Sequence, residues 1–475
     1  MGRILVIGGG PAGLVAGWTL RKQGHTLTVL EAGTRPGGSV QSIRSNGFLA
    51  ETGPNTMQVT EPQTLEWIAE VGLESELVGT RPFAKKRFIL RRGTLVPVPE
   101  SPSQAIGSPL LSFSGKLRLA FEYLSPPRKG GTDESLADFA RRRVGSEFLR
   151  YALDPMVGGI YAGDPEELSV RHAFPKVWAL ERDYGGLIKG AMAKRRQQKA
   201  DEESGKPRFQ AGSWSFQNGL ETLTAHLATE LGASLVLKSL LSELKWDGKH
   251  WIAKWEQRDM AMEGKFDALL LAAPAWALGL LPLPDPLPQI LQPVFEVDYP
   301  PVASVVVGVP REAVQHALDG FGFLVPQAEG RRILGTLFSS SIFPMRAPKD
   351  HVTLTTYVGG KRRPSLAQLP REELRELVLG ELRELLGLRS EPVFEQITTW
   401  SQAIPQYNVG YARVLEAVTQ AKGAFPRLYF CGNYIGGISL EKTILTSLRT
   451  AAAIHEQSGS PVETDPELTS QPAEG

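Results

Sequence analysis

Residues 3–33 read RILVIGGGPAGLVAGWTLRKQGHTLTVLEAG. Ile4 to Ile7 is a run of branched apolar residues, the pattern of a strand buried on both faces. Glycines follow at once. Gly8, Gly10 and Gly13, with Pro11 and Ala12 between the last two, form G-x-G-x-x-G. The first glycine makes a tight turn, the second lets the backbone approach a pyrophosphate, and the third lets the next helix lie close to the sheet. That helix carries Leu14, Ala16, Trp18 and Leu20 and is predicted to stop at Gly24; a second strand, Leu27 to Leu30, ends in Glu31. Phosphates would sit over the free N–H groups at the helix N-terminus. A carboxylate at the end of the second strand accepts hydrogen bonds from both ribose hydroxyls and repels a 2′-phosphate. A bare glycine pattern is weak, but here the strand before it, the helix after it and the acid eighteen residues beyond Gly13 agree. The stretch predicts a dinucleotide-binding α/β fold, and the fingerprint serves FAD and NAD alike.

Working outward, 475 residues are too many for one hydrophobic core, and the length suggests two to four domains. Lys plus Arg (52) nearly cancel Asp plus Glu (51), which removes the broad attraction that a phosphate backbone requires, so no nucleic-acid partner is expected. One cysteine excludes internal disulfides and cysteine-based metal clusters, and the seven histidines never fall at a spacing such as H-E-x-x-H, so no metal is expected. No apolar run reaches the length of a spanning helix, and the first strand begins at Arg3, leaving no room for a targeting peptide. The expectation is a cytoplasmic chain, with contact at the inner face of a membrane left open. The fingerprint occurs once, which argues against two cofactors in two such folds. Just downstream, TRPGGSVQS (34–42) places Arg35 and Gly37-Gly38 where they would extend a phosphate cradle, and ETGPN spans Glu51 to Asn55.

Glu31, Ala32, Arg35, Gly37 and Gly38 form E-A-x-x-R-x-G-G, which resembles the FAD signature of the flavin amine oxidoreductase superfamily. Within it, ETGPNTM (51–57), KKRFILRRGTLVPVP (85–99), GGIYAGDPEELSVRHAFP (158–175), GFGFLVP (320–326), IPQYNVGY (404–411) and CGNYIGGISL (431–440) resemble the protoporphyrinogen oxidase family, in that family's order. The resemblance implies noncovalent FAD, oxidation of a porphyrinogen to a porphyrin, and dioxygen as the acceptor, released as hydrogen peroxide. A cofactor that carries the redox step explains why no nucleophile–base constellation is found. For the cofactor it implies Gly8, Gly10, Pro11, Ala12, Gly13, Glu31, Ala32, Arg35, Gly37, Gly38, Gly53, Pro54, Asn55, Leu241, Trp400, Gly432, Asn433, Ile438 and Leu440.

The implied architecture is α/β with three parts. A Rossmann-type FAD-binding domain is assembled from residues 1–80, 211–284 and 415–457; a mixed-sheet substrate domain from 81–98 and 285–414; and a small helical, membrane-associating domain from 99–210. Residues 193–208, AKRRQQKADEESGKPR, and the tail 458–475 read as mobile. Relatives are commonly homodimers, although no exposed seam can be picked from this sequence.

For the substrate, the resemblance implies Arg87, Met156, Gly159, Leu324, Leu337 and Tyr357. Arg87 sits in an alternating strand pattern, and a planar fork of donors suits a propionate better than an ammonium does; the plainer reading is a solvated edge charge among Lys85, Lys86, Arg91 and Arg92. Core packing is the plainer reading for both leucines. Cys431 lies within a strand pattern and reads as a buried structural thiol instead of a covalent flavin link. Three alternatives stand beside protoporphyrinogen oxidation. The first is coproporphyrinogen III oxidation by the same chemistry. The second is an amine oxidase, which needs an aromatic cage that Tyr434 alone supplies poorly. The third is a porphyrin-binding flavoprotein without turnover.

Overall fold

Arg3–Ile7 forms strand β1, paired on each edge with a parallel strand, Thr26–Glu31 (β2) and Ala268–Leu271, and its apolar residues are buried on both faces because packed clusters cover the sheet above and below. Ile4 and Val6 point into one apolar cluster, Leu5 and Ile7 into another. Helix α1, Pro11–Lys22, follows a turn in which Gly8 holds φ at +112°, a region that favours glycine. A methyl group on Gly13 would collide with the Gly8 carbonyl oxygen, so helix and strand approach only because none is there. The computed structural model describes residues 1–128, 130–204, 209–257 and 260–457. The tail 458–475, expected to be mobile, lies outside the described residues.

Downstream, in chain order, the elements that frame the site are β3 (Arg87–Arg91), β4 (Thr94–Pro97), α2 (Phe113–Ala120), α3 (Asp154–Tyr161), α4 (Leu187–Glu203), β5 (Leu235–Leu237), β6 (Ala268–Leu271), β7 (Val302–Pro310), β8 (Gly322–Leu324), β9 (Ile333–Leu337), β10 (His351–Gly359), α5 (Arg371–Leu386), β11 (Phe394–Trp400), β12 (Leu428–Phe430) and α6 (Leu440–Gln457). A parallel five-stranded sheet runs β5-β2-β1-β6-β12, its strands drawn from three separated stretches of chain. One face packs against α1, the helix Glu221–Leu231 and α6, through residues such as Val15, Leu227 and Ile444. The other packs against Trp251 and Phe266 of a three-stranded antiparallel sheet and against Ala417, Ala421 and Phe425.

The second sheet has seven strands in the order β11-β7-β10-β9-β8-β3-β4, antiparallel except for the pair β8 and β3. Val305, Val307, Phe323 and Leu354 face a cluster completed by Leu374, Val378 and Leu382 of α5. Truncating a side chain as enclosed as Leu354 to alanine costs about 2–5 kcal/mol. With that face filled, function is left to the other.

Between the two sheets in sequence lies a mostly helical region. Its anchor is a buried ion pair: the Arg143 guanidinium donates to Glu122 and to the carbonyls of Ser125, Pro126 and Gly185. The Glu122 carboxylate also accepts the N–H groups of Leu187 and Ile188, the first turn of α4. The stretch expected to be mobile from residue 193 is therefore helical to Glu203. Its Ala, Lys, Arg and Gln residues are strong helix formers, and Glu122 satisfies donors at the helix start.

His25 ties the start of β1 to the end of α6. Its Nδ1 accepts the Gly2 N–H at 3.1 Å, so Nε2 carries the proton and donates to His455 Nδ1 at 3.0 Å. Burial lowers the pKa of His25, and likewise those of His172 and His316. The folded protein thus resists protonation that the unfolded chain accepts near its ordinary value of about 6.5, so stability falls as pH drops below about 6.5. Melting temperature measured from pH 7.5 to pH 5.5 should decline, and His25→Asn, which keeps an acceptor for Gly2, should flatten part of that slope; an unchanged slope in the variant removes His25 from the account.

Candidate active site

The first wall of the site is the turn after β1. The Glu31 carboxylate accepts Gly9 N–H and Gly33 N–H, each at 2.7 Å, one on each oxygen. Each oxygen keeps a lone pair, so the group is fixed in place and still able to accept from two ribose hydroxyls. Gly10 caps α1 with no side-chain hydrogen bond, and the space above its α-carbon is open to at least 4 Å. Gly37 N–H donates to the Gly9 carbonyl at 2.8 Å, which brings the second glycine loop against the first. Arg35, expected to extend the phosphate cradle, instead donates to the Pro36 and Gly38 carbonyls at 3.1 and 2.7 Å and holds that loop in shape. Ala32 is exposed beside it, and Ser239 N–H bonds the Glu31 carbonyl, which sets Leu241 two residues on. An uncapped helix terminus under open space, next to a pinned carboxylate, fits a dinucleotide.

The second wall is the loop 51–55. Thr52 N–H bonds Gln41, and a methyl on Gly53 would collide with the Ser39 carbonyl, so this loop leans on the glycine cradle, with Pro54 half-buried beyond. Its other side is stitched to the seven-stranded sheet. Trp400 Nε1 donates to the Thr52 carbonyl at 2.7 Å, Asn55 Nδ2 donates to the Tyr357 hydroxyl at 3.0 Å, and Arg346 Nη2 donates to the Asn55 carbonyl at 3.1 Å. Arg346 also pairs with Glu51 at 2.9 Å, both fully buried, and donates to Ser215 Oγ at 3.0 Å. Burial pushes the Glu51 carboxyl up, against the pull of the Arg346 charge. Neither member of this pair was nominated from sequence. Glu51 carried a signal, as the head of ETGPN; Arg346, at the end of the short 3-10 turn Pro344–Arg346, carried none.

The third wall is the loop after β12. Gly432 holds φ at +148°, Asn433 and Ile438 are half-buried, and Leu440 opens α6 with its side chain enclosed in the cluster beneath α1. Cys431 is fully buried, and burial pushes its thiol up to about 12, so it stays an inert thiol. Tyr434, weighed above as a cage residue, is also fully buried in the core and faces no cleft.

Cross-strand register brings the nominated substrate residues together. Arg87 lies opposite Gly322 and Gly322 opposite Leu337; Leu324 lies opposite Gly335 and Gly335 opposite Tyr357; Tyr357 lies opposite Ser304, Ser304 opposite Thr398, and Trp400 follows two residues on. Opposed residues share a face and residues two apart along a strand do too, so Arg87, Leu324, Leu337, Tyr357 and Trp400 all stand on the face away from α5. Helix α3 covers part of it. A methyl on Gly159 would collide with Leu324, so this helix lies directly on the sheet, with half-buried Met156 one turn earlier. Asp154 fixes the start of α3 by accepting Gln327 N–H at 2.8 Å and a bond from Arg362. Burial pushes the Tyr357 phenol up to about 12, which keeps it neutral.

Arg87 is exposed, its guanidinium 5.0 Å above the Phe321 ring and without a carboxylate among the described residues. Two of its basic neighbours are engaged. Lys86 pairs with Asp319 at 2.5 Å, and Arg91, on the same face, pairs with Glu147 at 2.8 Å and lies over the Tyr151 ring.

The chain matches the flavin containing amine oxidoreductase family over residues 11–455. It is 35% identical over 474 residues to the mitochondrial protoporphyrinogen oxidase of Nicotiana tabacum, covering 94% of each chain. It is 28% identical over 458 residues to the coproporphyrinogen III oxidase of Bacillus subtilis (strain 168), covering 93% of this chain and 95% of that one. Among solved structures, a protein of Exiguobacterium sp. 255-15 provisionally named a protoporphyrinogen oxidase shares the fold, with a TM-score of 0.79 at 24% identity over 96% of this chain and 99% of the other. A match that runs through both sheets and through all three stretches of the parallel one places the chain in the flavin-containing amine oxidoreductase family, as a flavin-dependent oxidoreductase.

Proposed function

We propose that the protein is an oxidase with noncovalently bound FAD that converts protoporphyrinogen IX to protoporphyrin IX. The observation that carries this is the gathering of Arg87, Leu324, Leu337, Tyr357 and Trp400 on one sheet face opposite the cofactor loops. When bound, FAD accepts electrons in pairs and passes them to dioxygen, which leaves as hydrogen peroxide. The chain's own residues bind and orient. Leu324 and Leu337 offer an apolar wall for the macrocycle, with Met156 and Gly159 of α3 at its edge. Tyr357, neutral and fixed by Asn55, lays a ring beside it, and Trp400 holds the cofactor loop at a set distance. Arg87 takes a propionate at the rim. The buried Cys431 thiol supports noncovalent attachment, since it is neither exposed nor ionised.

The alternative substrate is coproporphyrinogen III. It carries four propionates, two more than protoporphyrinogen, and the face offers one unpaired guanidinium because Arg91 is already held by Glu147. That arrangement, together with the greater identity to the tobacco enzyme, favours the dicarboxylate. Purified enzyme mixed in air with each porphyrinogen should form protoporphyrin faster than coproporphyrin, with peroxide in step. Arg87→Ala should lower kcat/KM about 10- to 100-fold, mainly through KM, because a charge-assisted hydrogen bond contributes about 1.5–3 kcal/mol. An unaffected variant retires the propionate contact; faster coproporphyrin moves the enzyme to the other substrate.

We also place a membrane-surface contact on α2. Phe113 and Leu117, then Phe121 and Leu124 of the turn that follows, are 83%, 48%, 51% and 71% exposed and stand on one side at helical spacing. No helix among the described residues is long and apolar enough to cross a bilayer. A stripe of that kind suits a lipid interface, where the apolar face enters the headgroup boundary. Wild-type protein should sediment with vesicles containing phosphatidylglycerol, and Phe113→Asp with Leu117→Asp should remain in solution with its flavin; a wild type that also remains in solution sinks the idea.

A further inference from the structure

We propose that Tyr407 is a positioning residue for the cofactor, its phenol oxygen clasping both ends of the loop 433–437. The hydroxyl donates to the Asn433 carbonyl at 2.6 Å and accepts the Gly437 N–H at 3.1 Å. One oxygen thereby closes a five-residue loop on itself. The loop needs such a closure. Gly436 and Gly437 sit at φ of +81° and +125°, and a backbone with two adjacent glycines has many other conformations open to it.

Two further phenols reinforce the first. Tyr411 stacks on Tyr407, ring centres 4.3 Å apart, and donates to the Tyr434 carbonyl at 2.8 Å. Tyr299 accepts the Ala275 N–H and donates to Asn433 Oδ1, both at 3.3 Å. All three rings are buried, and burial pushes each phenol well above its ordinary pKa, so each remains a neutral donor. Tyr299, Tyr407 and Tyr411 lie outside the strands of the parallel sheet, in the segments just before β7 and just after β11. The loop they hold follows β12, the last strand of that sheet. A hydroxyl here does what a buried phenylalanine would not: it fixes backbone atoms at the mouth of the cofactor cleft.

The inference rests on the proposed role of residues 432–440 in holding the flavin, and its test reads FAD binding alone, not porphyrinogen turnover. Apoprotein is titrated with FAD by the quenching of flavin fluorescence, for wild type, Tyr407→Phe and Tyr161→Phe. Tyr161 is the matched comparison, a phenol equally buried in the same aromatic cluster whose hydroxyl donates to the Ala173 carbonyl at 2.8 Å, away from the loop. Losing the hydroxyl should lower the melting temperature of both variants, more for Tyr407→Phe, whose hydroxyl makes two bonds to the one of Tyr161. The Kd for FAD should rise about tenfold in Tyr407→Phe and stay within twofold of wild type in Tyr161→Phe. Should Tyr407→Phe not accumulate as folded protein, Tyr411→Phe, which removes the single bond to Tyr434, carries the same comparison with a rise of about threefold. Equal affinities in the loop variants and Tyr161→Phe overturn the inference, and leave the flavin reading intact; a wild type that does not bind FAD overturns both.

Discussion

The buried pair of Arg346 and Glu51 is where the two sheets become one machine. Glu51 ends the strand Phe48–Glu51, which leads into the loop 51–55, and Arg346 lies in the connection before β10. Two charges withdrawn from water at this depth are not a cheap source of stability, since their desolvation roughly offsets their attraction. What they supply is position. The carboxylate also accepts Ser42 Oγ–H and Leu220 N–H, and the guanidinium also grips the Asn55 carbonyl and Ser215, so each partner is held from several directions. Removing either member would strand the other in the core, a loss of about 3–5 kcal/mol.

That pair sets a spacing that the rest of the cleft inherits. With the loop 51–55 fixed to the connection before β10, Asn55 meets Tyr357 and Trp400 meets Thr52, so the sheet face and the cofactor loop stand at one separation. The loop after β12 is held from the same side, by phenols. Both loops take their places from side chains outside the parallel sheet, Tyr357 and Trp400 on the other sheet and Arg346, Tyr299, Tyr407 and Tyr411 in the segments that flank its strands. Such an arrangement suits a reaction whose difficult step belongs to the cofactor, because what remains for the protein is to hold two flat partners in register and to keep water out.

How much of this was legible from sequence follows the range of the interactions. The strand, glycine turn, helix and acid of residues 3–33 are local, each determined by neighbours within a few positions, and they appear as read. The alternation in Arg87–Arg91 predicts a strand, and register then gathers Leu324, Leu337 and Tyr357 beside it. Arg346 and the tyrosine clasp were not legible, because their partners lie 295 residues away in one case and 26 to 30 in the other, and no period marks them. The part of the helix from residue 193 to 203 was read as mobile for a related reason: its charged, polar face resembles a solvated segment, and the carboxylate that starts the helix comes from residue 122. Arg35 lies on the second glycine loop, and its donors go to the Pro36 and Gly38 carbonyls of that loop.

The same face bears on why the proposed propionate contact falls to Arg87 and not to its paired neighbours. Lys86 and Arg91 flank Arg87 on its strand or beside it, yet each already has a carboxylate, and a paired cation must give up that partner before it can take a ligand's. Arg91 is doubly committed, since Glu147 is held near pKa 2 by Ser112 and Arg91 itself and does not release it by protonation at ordinary pH. Arg87 needs no such exchange. Its charge stands in solvent at the edge of an apolar wall and rests on the Phe321 ring, so an amphipathic, flat ligand can bury its macrocycle against the leucines while leaving its carboxylate at the rim. Orientation then follows from amphipathicity: turning the ligand around would press a carboxylate against Leu324 and leave the guanidinium facing hydrocarbon, and both groups would lose solvation without compensation.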